Sequence, residues 1–147
     1  DLAGSSEREE YMSSYPIMDI EGIGPAFGEK LKAAGIRSTG ALLKRAATPK
    51  DRKALAEATG IDESRILKWA NMADLMRIKG VGEEYSELLE AAGVDTVKEL
   101  KHRRADNLTA RMAEVNAEKK LVRQIPGEKA VVRWIEMAKE LPAVLTY

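Results

Sequence analysis

Apolar residues recur at helical spacing along most of the chain. Phe27, Leu31 and Ala34 stand at i, i+4 and i+7, one face of a helix. Pro25 suits its first turn, and Gly35 stops it after Ala34. Ser38 or Thr39 is expected to cap a short helix reaching about Ala47. Thr48-Pro49 opens another that ends near Gly60, and Asp62 caps a long one to Arg77 with Ile66, Trp69, Ala73 and Met76 as its core stripe. A second series follows. A helix from Glu83 to Ala92 carries Tyr85, Leu89 and Ala92 on one face and stops at Gly93. Thr96 and Asp106 are the expected caps of the next two helices. Pro126-Gly127 breaks the chain before a last helix with Val131, Trp134 or Ile135, Ala138 and Leu141.

The two series are copies of one another. Ile20-Glu21-Gly22-Ile23-Gly24 returns as Ile78-Lys79-Gly80-Val81-Gly82, 58 residues on. The same offset carries Phe27 to Tyr85, Leu31 to Leu89, Leu42 to Leu100 and Ala33-Ala34-Gly35-Ile36 to Ala91-Ala92-Gly93-Val94. Leu55-Ala56-Glu57 matches Met112-Ala113-Glu114 at offset 57, and Trp69-Ala70-Asn71-Met72-Ala73 matches Trp134-Ile135-Glu136-Met137-Ala138 at offset 65. Extra residues in the second copy fall around Lys119 to Pro126. The reading is a tandem duplication, residues 17–76 and 77–141, folded as one all-α compact domain of two pseudo-symmetric repeats spanning residues 12–147.

Composition narrows the chemistry. With no Cys and a single His, His102, the 147 residues cannot build a disulfide framework, a thiolate zinc site or a cysteine nucleophile. No Asp/Glu spacing diagnostic of a metal cage is visible, so neither a metal nor a cofactor nor catalysis is expected. No stretch approaches the ~20 apolar residues of a membrane span, and a cytoplasmic protein is expected. The charge balance, 24 basic against 24 acidic groups, needs one correction. The chain begins with Asp1, and residues 1–11 read as an expression remnant or disordered polar arm before a natural start at Met12. Without their four carboxylates and single Arg8, 23 basic and 20 acidic groups remain, a net +3. That is mildly basic, and charge alone nominates no partner.

The repeated element, apolar-x-Gly-apolar-Gly followed by a helix with Leu seven residues beyond the second Gly and a closing Ala-Gly, resembles the helix-hairpin-helix motif. Over Tyr15 to Pro142 the chain resembles a bacterial family known as domain of unknown function 4332. The stretches His102-Arg103-Arg104-Ala105-Asp106-Asn107-Leu108, Lys119-Lys120-Leu121-Val122-Arg123 and Trp134-Ile135…Ala138-Lys139-Glu140-Leu141-Pro142 strengthen that match. The resemblance implies a tandem helix-hairpin-helix fold and no established activity. The motif has a physical logic. Two glycines permit a tight turn and a close approach, and the following helix presents unpaired amides and the positive end of its dipole, which suit a phosphate. In the hairpins it resembles, the phosphate belongs to a nucleic-acid backbone and is bound without regard to sequence.

The two hairpins differ in fitness for an anion. Around the first, Gly22, Ile23, Gly24, Ala26 and Phe27 form the turn with no carboxylate in the first helical turn, and Lys30, Lys32, Lys44 and Arg45 are the supporting cations. Around the second, Lys79, Gly80, Val81 and Gly82 are followed at once by Glu83 and Glu84. Those carboxylates are expected to cap their own helix and repel phosphate. Lys50, Arg52 and Lys53 extend the basic cluster, with a solvated helix surface as the simpler explanation, and the same holds for Lys101 to Arg104. Lys119, Lys120 and Arg123 lack a counterpart in the first copy and form a candidate interaction surface. Glu87 and Glu90 suggest a solvated acidic face. Trp69 and Trp134 read as core. The leading expectation is sequence-independent DNA-backbone binding by an accessory module. The alternative is a protein-interaction module without nucleic-acid binding, and a small phosphorylated ligand held at one hairpin is a weaker third. Oligomeric state stays open.

Overall fold

Hydroxyl caps and glycines decide where most helices start and stop. The computed structural model describes residues 14–147, so the expectations for residues 1–11 and Met12 lie outside the described residues. Among them a 3-10 turn, Ile17–Asp19, precedes eight α-helices: α1 Pro25–Ala33, α2 Thr39–Arg45, α3 Pro49–Thr59, α4 Glu63–Leu75, α5 Glu83–Ala91, α6 Val97–Leu100, α7 Ala105–Lys119 and α8 Glu128–Glu140. No strand occurs among the described residues, and Pro16 and Ser38 form an isolated antiparallel bridge. Ser38, Thr48 and Asp62 accept the amides of Ala41, Asp51 and Arg65, and Thr96 accepts that of Glu99. Asp106 departs from expectation. It sits inside the first turn of α7, paired with Arg104 at 2.9 Å, while Arg104 holds the cap position without a side-chain bond. Gly60, at φ 74°, ends α3 in the left-handed region, and Lys120, at φ 53°, ends α7 the same way.

The apolar stripes bury themselves in two clusters. Ile17, Ile20, Leu31, Leu42, Ile66 and Trp69 belong to the first, and Ile78, Leu88, Leu89, Leu108, Met112 and Trp134 to the second. The extra residues of the second half lengthen α7 to 15 residues against 11 in α3 and add an irregular segment before α8. Asn116 fastens that segment by bonding both the amide and the carbonyl of Val122.

Two polar devices join the halves. At the end of α4 the buried Asp74 accepts the Val97 amide that opens α6 at 2.8 Å and the Arg77 guanidinium at 2.9 Å, and Arg77 in turn donates to the Pro142 carbonyl. Beyond α8 the chain runs back across the first half as a strap. Leu145 enters the first cluster, and the Thr146 amide donates to Ala47. Arg52 is not on the solvated surface that its sequence context suggests. It is 5% exposed, and its guanidinium donates to the carbonyls of Ala46, Ala47 and Thr146. A buried guanidinium is tolerated when its donors are taken up in this way.

Candidate nucleic-acid interface

Gly22 and Gly80 both adopt φ 96°, a conformation that an L side chain rarely takes. Each lies over an indole. A Cβ on Gly22 would stand 3.4 Å from Trp69 Nε1, and one on Gly80 would stand 3.2 Å from Trp134 Nε1. The turns are thus closed from below by a tryptophan of the fourth helix of each series, α4 or α8. Phe27 meets Trp69 edge-on with centroids 5.2 Å apart, and Tyr85 meets Trp134 at 5.3 Å.

Above the turns the environments diverge. Gly24 is the extended N-cap of α1, offers no side chain, and has no heavy atom within 4 Å of where its Cβ would lie. No side chain caps α1 and no acid occupies its first turn, so the Ala26 and Phe27 amides at that end are open. Arg65 of α4 places its guanidinium 5.3 Å from the Phe27 ring centroid, while pairing with Asp62 at 2.7 Å. Arg65 is absent from the residues that the sequence pattern nominates. Its spacing of four from Trp69 on one helix face is the one local signal, and the apolar stripe on that face masks it. The second turn is covered. The Tyr15 ring lies 3.7 Å from the Cβ position of Gly82, and Glu83 and Glu84 fill the first turn of α5. They do not cap it by hydrogen bonds as expected, since no side chain bonds the cap.

The supporting cations fall in different places. Lys30 and Lys32 lie in the last turn of α1. Arg45 donates to the Ala34 carbonyl at 2.8 Å, at the opposite end of α1 from Gly24, about 14 Å along a helix of nine residues. Lys44 precedes it in α2 and is exposed. The structure therefore does not bring Arg45 together with the glycine turn. Arg103 behaves like Arg45, reaching the Gly93 carbonyl at the end of α5. Lys79 is exposed before Gly80, with Val81 buried beside it. Lys119 and Lys120 are exposed, and Lys120 also forms the left-handed end of α7.

Tyr15 of the first half lies against Gly82 of the second, and carboxylates of the two halves act on one another there. Burial, then Asp19, Glu21 and Glu84, push Glu83 above the ordinary glutamate range. Burial and the charges of Glu21, Glu90 and Glu83 do the same to Glu87, against the pull of Lys68. Glu87 and Glu90 are half-buried, so this is a crowded acidic seam and not the fully solvated face expected of it. Among the described residues no group of three or more His, Asp or Glu is placed to hold a metal ion, and no helix is long and apolar enough to cross a membrane. Residues 21–141 match the family described as Domain of unknown function (DUF4332). Neither the curated proteins nor the solved structures yield a match.

Proposed function

The chain belongs to the family Domain of unknown function (DUF4332), and from that premise we propose that it is a tandem helix-hairpin-helix module that binds the DNA backbone without sequence preference, through its first hairpin. The pseudo-symmetry of this reading rests on the duplicated Gly-x-Gly turns, both at φ 96° and both backed by a tryptophan. One observation carries the choice of hairpin. The N-terminus of α1 is uncapped and free of acids, with Arg65 beside it, whereas the equivalent end of α5 is occupied by Glu83, Glu84 and Tyr15. A phosphate oxygen would accept from the Ala26 and Phe27 amides, with Arg65, Lys30 and Lys32 adding longer-range attraction. Such a module is an accessory, with no catalytic role assigned to any residue.

A second reading, docking of a protein with a basic surface and no nucleic-acid binding, is favoured by the seam of Asp19, Glu21, Glu83, Glu84 and Glu87 between the halves. Fluorescence anisotropy of labelled duplex DNA separates the two. Binding that weakens between about 50 and 200 mM salt, with a log–log slope of roughly −0.9 per phosphate contacted, is the expected result. Gly24→Asp should abolish it with the fold intact, because the open space around Gly24 admits an aspartate that caps α1 and repels phosphate. No binding at about 50 mM salt with protein up to about 100 μM, the range of non-specific contacts, overturns the DNA reading in favour of protein docking.

A further inference from the structure

The indoles that floor the two turns are more than packing. Trp69 is 3% exposed, yet no acceptor among the described residues takes its Nε1–H. No buried side-chain nitrogen or oxygen among the described residues lacks a partner. The Nε1–H therefore reaches the surface, and it does so beside Gly22, 3.4 Å from where a side chain would begin. An unsatisfied N–H on an otherwise buried ring is held there by its surroundings. Phe27 packs edge-on against the ring, and glycine at position 22 leaves the space above Nε1 open. The same turn leads two residues later into the uncapped end of α1.

We propose that Trp69 Nε1–H is a hydrogen-bond donor to a phosphate oxygen at the first hairpin, acting from the floor of the turn while the Ala26 and Phe27 amides act from the helix end. This inference rests on the DNA-backbone reading and deepens it by naming a side chain that contacts the phosphate group. Trp134 offers the same donor beneath Gly80, but its approach carries Glu83 and Glu84, and Ala130 stands four residues before it where Arg65 stands before Trp69. The first site is therefore the one that fills.

The chain contains two tryptophans, so its indole N–H resonances are two and easily told apart. Trp134→Phe leaves one, which assigns Trp69. In the wild-type protein labelled with 15N, inorganic phosphate and then a short duplex DNA should displace the Trp69 indole resonance and leave that of Trp134 in place, with chloride at matched ionic strength producing no such change. Trp69→Phe keeps an aromatic ring against Phe27 while removing the donor together with part of the indole, and it should weaken duplex binding about tenfold or more, the worth of one hydrogen bond to a charged acceptor. Duplex binding with the Trp69 resonance unmoved, or with unchanged affinity in a folded Trp69→Phe, overturns the donor role and leaves the hairpin reading standing. Movement of the Trp134 resonance overturns the preference for the first hairpin. Absence of any duplex binding overturns both readings together. Should Trp69→Phe fail to fold, the wild-type titration decides alone.

Discussion

Gly22 and Gly80 couple backbone and side chain at one point. Each needs a positive φ, and each needs its missing Cβ so that an indole nitrogen can lie against the chain. Alanine at either should cost about 1–2 kcal/mol from the backbone conformation alone. The shorter approach at Gly80, 3.2 Å against 3.4 Å, makes Gly80→Ala the more damaging of the two. Urea unfolding of both variants checks the order. At this scale the amino-acid pattern is informative about glycine and silent about partners. The repeated Gly-x-Gly marks both turns by itself, and helical spacing puts Trp69 and Trp134 on buried faces. That each ring sets its Nε1 beside a glycine of its own repeat, 47 or 54 positions earlier, is a tertiary fact that local spacing does not contain. Arg52 is illegible for the same reason, since one of its acceptors, the Thr146 carbonyl, lies 94 residues away.

The helices are the most readable level. Hydroxyl caps, Pro at the first turn and terminal glycines are local signals, and Ser38, Thr48, Asp62 and Thr96 all cap where expected. Asp106 misleads because an aspartate serves equally well one or two residues inside a helix, where it meets the dipole without capping. The joint between α4 and α6 is invisible in the pattern, as it depends on one carboxylate closing a helix of the other half. Asp74 is 4% exposed, and both of its oxygens are engaged, one by Val97 and one by Arg77. Asp74→Asn presents an amide N–H to one of the two donors and removes the charge that pairs with Arg77, leaving that guanidinium its Pro142 contact but no carboxylate. The expected loss is about 3 kcal/mol, read as a lower urea midpoint with an unchanged slope.

Over the whole molecule, the two cores fall close to the boundaries of the sequence repeat, while the approach of Asp19 and Glu21 to Glu83 and Glu87 across the halves has no signature in the chain. That approach creates the acidic seam, and the seam sets a pH dependence. Glu83 and Glu87 have folded pKa values raised above the ordinary glutamate value, so the folded state binds their protons more tightly than the unfolded state does. Their favourable contribution is complete below the unfolded value and is lost as pH rises through the raised folded values. Relative to a Glu83→Gln, Glu87→Gln variant, the wild-type protein should lose stability as pH rises from the ordinary glutamate value through the raised folded values, and then hold a constant deficit. Thermal unfolding of the pair across that range gives the difference directly. A wild-type protein that gains on the variant with rising pH would contradict it.

The strap of residues 142–147 has a kinetic consequence. Its first-half anchors are Leu145 in the core, the Thr146 amide on Ala47 and the Thr146 carbonyl on Arg52, while it begins at Pro142, which Arg77 grips from the joint between halves. Opening the first core therefore pulls on α8, and melting α8 frees the plug of the first core. Neither half has a private route to exposure. In native-state hydrogen exchange the slowest amides of α4 and α8 should share one opening free energy, equal to that of global unfolding. Ending the chain after Leu141 should split that single value into two, with the first half opening more readily.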